Sequence, residues 1–138
     1  MADSVYIHIP FCNQICSYCD FCKLYYHKTL VHDYLIALEK EILLNPPNKD
    51  LKTLYIGGGT PSVLKEDELQ ILGEILTHFS FFSNYEFTFE CNIESITESK
   101  LKLLKEMGVT RISYGVETFH SNHLTYLNRH HTKQEVFE

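Results

Sequence analysis

The chain has 138 residues, 44% of them hydrophobic, and a net charge of −6 at pH 7. That is enough for one domain with a core, and the negative charge argues against general affinity for nucleic acid or an anionic membrane surface. The segment Met1-Ala2-Asp3-Ser4 leads into no signal-like apolar run, and no stretch approaches the ~18 apolar residues of a membrane span.

Alternating strand and helix patterns run along the chain. A first strand is expected from Val5 to Ile9, followed by a cysteine-rich loop. A helix follows from about Leu30 to Leu44, with Leu30, Tyr34, Leu38 and Glu41-Ile42 at helical spacing, and Asn45-Pro46-Pro47 ends it. A second strand, Lys52 to Ile56, leads into Gly57-Gly58-Gly59-Thr60-Pro61-Ser62. The second helix spans about Glu66 to Phe79, with Leu69, Leu72, Ile75 and Leu76 on one face. The third strand, Tyr85 to Cys91, alternates Tyr85, Phe87 and Phe89 with Glu86, Thr88 and Glu90. Thr97 caps a third helix that Gly108 stops. A strand from Val109 to Tyr114 and a short helix from about Asn122 to Leu127 complete the series. Repeated βα units predict an α/β fold with a parallel sheet.

In such folds chemistry collects at the C-terminal ends of strands. The cysteine loop follows the first strand, the glycine run follows the second, Glu90 ends the third and Glu117 follows the fourth. All therefore fall on one rim.

The loop reads Cys12-x3-Cys16-x2-Cys19. Three thiolates this close can converge on one iron–sulfur cluster and leave one iron of a 4Fe–4S cubane without a protein ligand. Cys22 follows as a further C-x2-C, so a four-thiolate zinc knot is an alternative, although its loop is cramped for a tetrahedral cage. A disulfide framework fits poorly with 5 cysteines of which four crowd one loop, and such clustering is a poor match for inert core thiols. Reduced, clustered thiols with no export signal point to the cytosol.

The other motifs are less specific alone. Gly57-Gly58-Gly59-Thr60-Pro61 permits close approach of backbone to a ligand, but lacks the Lys-Ser/Thr of a P-loop and the G-x-G-x-x-G of a dinucleotide site. Glu90 and Glu117 read either as site carboxylates or as solvated ones, and Arg129 either pairs a carboxylate or lies on the surface. Tyr6 and Tyr18 can pack a flat ring or fill core and loop. Cys91 reads as a small buried residue, and His130 and His131 read as possible ligands or, by preference, as surface histidines. Asp67, Glu68, Lys100, Lys102 and Lys105 read as wet helix faces.

In combination, Tyr6-Ile7-His8-Ile9-Pro10-Phe11-Cys12 with Cys16 and Cys19, Gly57-Gly58-Gly59-Thr60-Pro61-Ser62, and Arg111-Ile112-Ser113-Tyr114-Gly115-Val116-Glu117 resemble the radical S-adenosylmethionine superfamily. Within it the chain is similar to the oxygen-independent coproporphyrinogen III oxidase group, from Tyr6 to His131. The resemblance implies a partial (β/α)6 barrel, of which residues 1–138 supply the N-terminal part, about four βα units. It implies that Cys12, Cys16 and Cys19 ligate a 4Fe–4S cluster whose fourth iron is chelated by S-adenosylmethionine. Gly58, Gly59 and Thr60, with Tyr6, Tyr18, Glu90 and Arg129, fall on positions that meet S-adenosylmethionine. Glu117 stands where Gln is usual.

The implied chemistry is reductive and needs an electron donor: cleavage of S-adenosylmethionine gives methionine and a 5′-deoxyadenosyl radical. In the oxidase branch that radical starts the decarboxylation of a porphyrinogen propionate. Cys19-Asp20-Phe21 is similar to a haem-chaperone subgroup, whose members bind haem, whereas the oxidase branch has a C-x-C in which Phe21 would be a cysteine. The implied partners are therefore S-adenosylmethionine, haem or porphyrinogen, and a reductant, with no nucleic acid and no membrane span. Thr132 to Glu138 reads as a cap and first helical turn without an end signal, so more chain is expected downstream.

Overall fold

The computed structural model describes residues 3–47 and 49–137; the readings made on Met1, Ala2 and Glu138 lie outside them. Strands β1 (Ser4–Ile9), β4 (Leu51–Gly58), β5 (Phe81–Cys91) and β6 (Arg111–Tyr114) form one parallel sheet in that spatial order. Helices α1 (Lys28–Leu44), α2 (Glu66–Leu76) and α3 (Glu98–Glu106) connect successive strands, and α4 (Ser121–Tyr126) follows β6. This is the expected α/β architecture with a parallel sheet.

Alternation along the strands makes the two sheet faces chemically different. Ile7, Ile9, Leu54, Ile56, Phe87 and Phe89 point to one side and are buried. They pack against Val31, Leu35 and Leu38 of α1, Leu69, Leu72 and Ile75 of α2, and Leu104 of α3. Full burial of each such side chain favours folding by about 1.5–3 kcal/mol. The register Tyr6↔Tyr55, Tyr55↔Thr88, Thr88↔Arg111 places a polar row on the opposite face. Parallel sheets are ordinarily covered on both faces; here Tyr6 on that second face is 56% exposed.

Several boundaries differ from the sequence reading. The buried stripe of α1 is Val31, Leu35, Leu38 and Ile42, and Leu30 lies outside it. Helix α2 stops at Leu76 rather than Phe79. Strand β5 starts at Phe81, not Tyr85: Leu51 pairs with Phe81 and Thr53 with Glu86, so an irregularity in the register absorbs the extra residues between them. Thr132 and Glu135 cap each other as expected, the Glu135 N–H donating to Thr132 Oγ1 at 3.3 Å and the Thr132 N–H to Glu135 Oε2 at 2.6 Å.

Glu68, Lys100 and His131 are corrections, since all three are buried. The Glu68 carboxylate accepts the Lys65 N–H at 2.7 Å, capping α2, and the Tyr26 hydroxyl at 2.8 Å. A carboxylate so partnered tolerates burial that an unpartnered one would not. Asp67, Lys102 and Lys105 are exposed as expected.

Candidate functional site

The cysteine loop is closed at its base. Strand β2 (Phe11–Cys12) pairs with β3 (Leu24–Tyr25), the Leu24 N–H donating to Pro10 O at 2.6 Å and Tyr26 N–H to Cys12 O at 2.9 Å. These two-residue strands leave no periodic signal in the chain. The glycine run lies alongside: Gly59 N–H donates to Ile9 O at 2.9 Å and Thr60 N–H to Phe11 O at 2.8 Å. Gly57 and Gly59 have local reasons. A Cβ on Gly57 would stand 2.7 Å from Glu90 Oε2, and one on Gly59 would stand 2.9 Å from both Cys12 Sγ and Phe11 O.

The C-terminal ends of β1, β4, β5 and β6 thus share one rim, where a cavity of about 210 Å³ opens. It is lined by Cys12, Cys16 and Cys19, by Gly58, Gly59 and Thr60, and by Tyr18, Glu90, Glu117 and Arg129. Of the residues that the resemblance places at the cluster or at S-adenosylmethionine, all line this cavity except Tyr6. Tyr6 lies two residues before His8 on the polar face, its ring 5.9 Å from that of Tyr55 and its hydroxyl 2.9 Å from His8 Nδ1. Cys22 is exposed, and Cys91 is buried, with its thiol pushed up to about 12 by burial.

Several site groups have fixed partners. Thr60 Oγ1 donates to Cys12 Sγ at 3.5 Å, and burial pushes the Cys12 thiol up. Glu90 accepts the Tyr55 hydroxyl at 2.5 Å and the Gly58 N–H at 3.1 Å. That bond to Glu90, followed by burial, raises the Tyr55 pKa. The Tyr18 pKa is also raised, first by burial and then by the nearby Glu117 carboxylate. Glu117 has φ 63°, a left-handed backbone that is uncommon for a residue other than glycine and typical of functional turns.

Arg129 is buried rather than on the surface. Its Nη2 donates to Gly115 O at 2.5 Å and lies 3.4 Å from Glu94 Oε2, while Nη1 approaches Cys16 Sγ at 3.9 Å. Its buried Nε has no partner among the described residues. An orphaned guanidinium N–H is a costly state that an anionic or carbonyl-bearing ligand would relieve.

Sequence reasoning missed His8, Asn92, Glu94 and His131. His8 Nε2–H donates to Cys22 O at 2.8 Å; because a carbonyl only accepts, Nδ1 of the neutral ring accepts the hydrogen bond of the Tyr6 hydroxyl. Asn92 and Glu94 follow Glu90 on the same rim, so the strand-end rule contained the signal. His131 has none: its Nδ1 meets Glu94 at 3.2 Å and its Nε2 meets Val116 O at 3.1 Å only after the chain folds back.

A parallel βα sheet with three thiols, a glycine run and a buried arginine around one rim cavity makes up an α/β domain with a candidate cofactor site. The family model of the Radical SAM superfamily matches residues 6–138. The chain belongs to that superfamily, whose members use a 4Fe–4S cluster and S-adenosylmethionine. It is 43% identical to the heme chaperone HemW of Bacillus subtilis (strain 168), over 97% of this chain and 37% of that protein. It is 32% identical to the oxygen-independent coproporphyrinogen III oxidase of Synechocystis sp., over 98% of this chain and 30% of that protein. The structure of coproporphyrinogen III oxidase (HemN) from Escherichia coli, a radical SAM enzyme, matches with a TM-score of 0.89 and 31% identity, over 97% of this chain and 32% of that one. The chain therefore spans about a third of the length of these relatives. No helix among the described residues is long and apolar enough to cross a membrane.

Proposed function

We propose that this chain is the cofactor-binding, N-terminal part of the core of a haem-handling radical S-adenosylmethionine protein. Cys12, Cys16 and Cys19 would hold the 4Fe–4S cluster, which supplies the electron for reductive cleavage of S-adenosylmethionine. The observation that carries this is the meeting of the three thiols with the glycine run, Glu90 and the orphaned Arg129 Nε in one cavity.

The residues around the thiols fit such a ligand pair. Arg129 Nε–H would bind a carboxylate or an oxygen of S-adenosylmethionine, the Gly58–Thr60 segment would lie along it, and Glu90 and Glu117 would face its cationic sulfonium or its hydroxyls. Tyr18 would close one side, and Tyr6 would act through Tyr55 and His8 from below. An electron donor would approach from outside, in the reducing cytosol.

Haem chaperoning is the favoured activity because the likeness to the Bacillus subtilis chaperone is the stronger of the two sequence matches described. Propionate decarboxylation is the second reading, favoured by the fold match to the Escherichia coli oxidase. Anaerobic reconstitution with iron and sulfide tests the site: the native chain should gain cluster absorbance and Cys12→Ala should lose it. Unchanged absorbance in Cys12→Ala would defeat the ligand assignment. Incubation of the full-length protein with coproporphyrinogen separates the activities, since accumulation of protoporphyrinogen would overturn the chaperone reading.

A further inference from the structure

Lys100 belongs to none of the motifs, yet it is 9% exposed, on a helix whose neighbouring Glu98 and Lys102 pair with each other in solvent. Its Nζ donates to Ser62 O at 2.7 Å and Ser95 O at 2.9 Å. Among the described residues it makes no ion pair, and burial holds its pKa below the ordinary lysine value. An apolar side chain would fill this spot without the desolvation cost of a charge. What the ammonium contributes is a joint between two loops, the turn Pro61–Val63 after β4 and the turn Ile93–Ser95 after β5.

From that joint two polar chains lead to the cavity. On one, the Ser62 hydroxyl accepts the Asn92 N–H at 3.0 Å, Asn92 Nδ2 donates to Thr60 Oγ1 at 3.2 Å, and Thr60 Oγ1 donates to Cys12 Sγ. On the other, the Ile93–Ser95 turn holds Glu94 against Arg129 and His131. A hydroxyl and the orphaned guanidinium thus both reach the site, and both depend on where the two loops sit.

We propose that Lys100 is a positioning residue of the cofactor site, pinning from α3 the two rim loops that aim Thr60 at Cys12 and Glu94 at Arg129. This rests on reading the cavity as the cluster and S-adenosylmethionine site. Hydrogen bonds to ligating sulfurs raise a cluster's reduction potential, and partners beyond the ligands tune affinity. Loss of Lys100 should therefore loosen S-adenosylmethionine and lower the potential.

The test uses anaerobically reconstituted full-length protein. With S-adenosylmethionine in equilibrium dialysis, Lys100→Met should weaken binding by about 10- to 100-fold, and Lys100→Arg, which keeps the donors, should recover part of it. The reduction potential should move negative in Lys100→Met and in Thr60→Val, and the double variant should move no further than Thr60→Val alone. The thermal midpoint of the cluster-free protein should change little, because relief of desolvation offsets the two lost donors. Native-like affinity and potential in Lys100→Met, or additive shifts in the double variant, would overturn the proposal. Should Lys100→Met not fold, Asn92→Ala breaks the same chain to Thr60, and an unchanged potential there is equally fatal. A native protein that takes up no cluster would instead defeat the reading of the site itself.

Discussion

A single methyl group at Gly59 would occupy the space in which Cys12 Sγ and the Phe11 carbonyl meet it, at 2.9 Å from each. Both neighbours belong to the base of the closed cysteine loop, so neither can retreat as a flexible side-chain tip would. Gly59→Ala should therefore destabilise by about 1–3 kcal/mol, the ordinary cost of overpacking, and should reduce cluster uptake more than Gly73→Ala. At Gly73 the added carbon meets the Met107 side chain at 3.1 Å, which can swing aside. Urea titration with iron analysis of both variants checks this; equal losses would mean that the contact with the loop is immaterial. Glu117 is the other residue whose backbone matters. It combines a φ of 63° with a side chain that lines the cavity alongside Tyr18.

Helix α2 shows how much an element discloses from sequence. Its apolar stripe Leu69, Leu72, Ile75 and Leu76 is readable from spacing and is buried. Leu72→Ala should therefore cost about 2–5 kcal/mol in a thermal or urea melt. Glu68 lies in the first turn, where a carboxylate looks like an ordinary solvated charge. Its role appears only because Tyr26, far away in the chain, lays a hydroxyl on it while the Lys65 N–H needs an acceptor. Glu68→Ala should cost at least the ~0.5–2 kcal/mol of a lost cap, whereas a surface-charge variant such as Asp67→Ala should be near neutral. The same reasoning separates what was legible elsewhere. Strand order, helix faces and the common rim follow from short-range periodicity and the strand-end rule. The β2–β3 clasp, the register irregularity in β5, the buried Lys100 and the His131–Glu94 contact do not, because each depends on a partner many residues away that leaves no mark on local spacing. Tyr6 is the converse case: its place in the motif draws it to the site, and strand alternation puts it on the same sheet face as Glu90, but it lies earlier along its strand, level with Tyr55 and Thr88 and short of the rim cavity.

At the scale of the whole molecule, residues after β6 return across the cysteine loop and are held almost wholly by polar contacts. Ser17 Oγ donates to Tyr126 O at 3.2 Å, Asn128 Nδ2 donates to Ile15 O at 3.1 Å, and Gln14 meets His130. Of α4 only Leu124 is buried. Glu94 is the common anchor, paired with the Arg129 charge and accepting from the His130 N–H and from His131. Burial works to raise its pKa, but its own backbone N–H, the Arg129 charge and His131 together hold the carboxyl below its usual value of 4.5. The folded state therefore binds fewer protons than the unfolded chain as the pH falls through that range. The stabilisation from Glu94 is complete above about pH 4.5 and is lost as the pH drops through the lower, folded-state pKa. The returning segment has little apolar burial of its own, whereas the sheet and α1 to α3 share a continuous core. Acid should accordingly free this segment before it unfolds the core. Hydrogen exchange across residues 115–131 should accelerate below pH 4.5 while β4 and β5 stay protected, and Glu94→Gln should show the same acceleration at neutral pH. Simultaneous loss of protection in the segment and the sheet would mean that the returning chain is part of the core's cooperative unit and not a polar clasp over it.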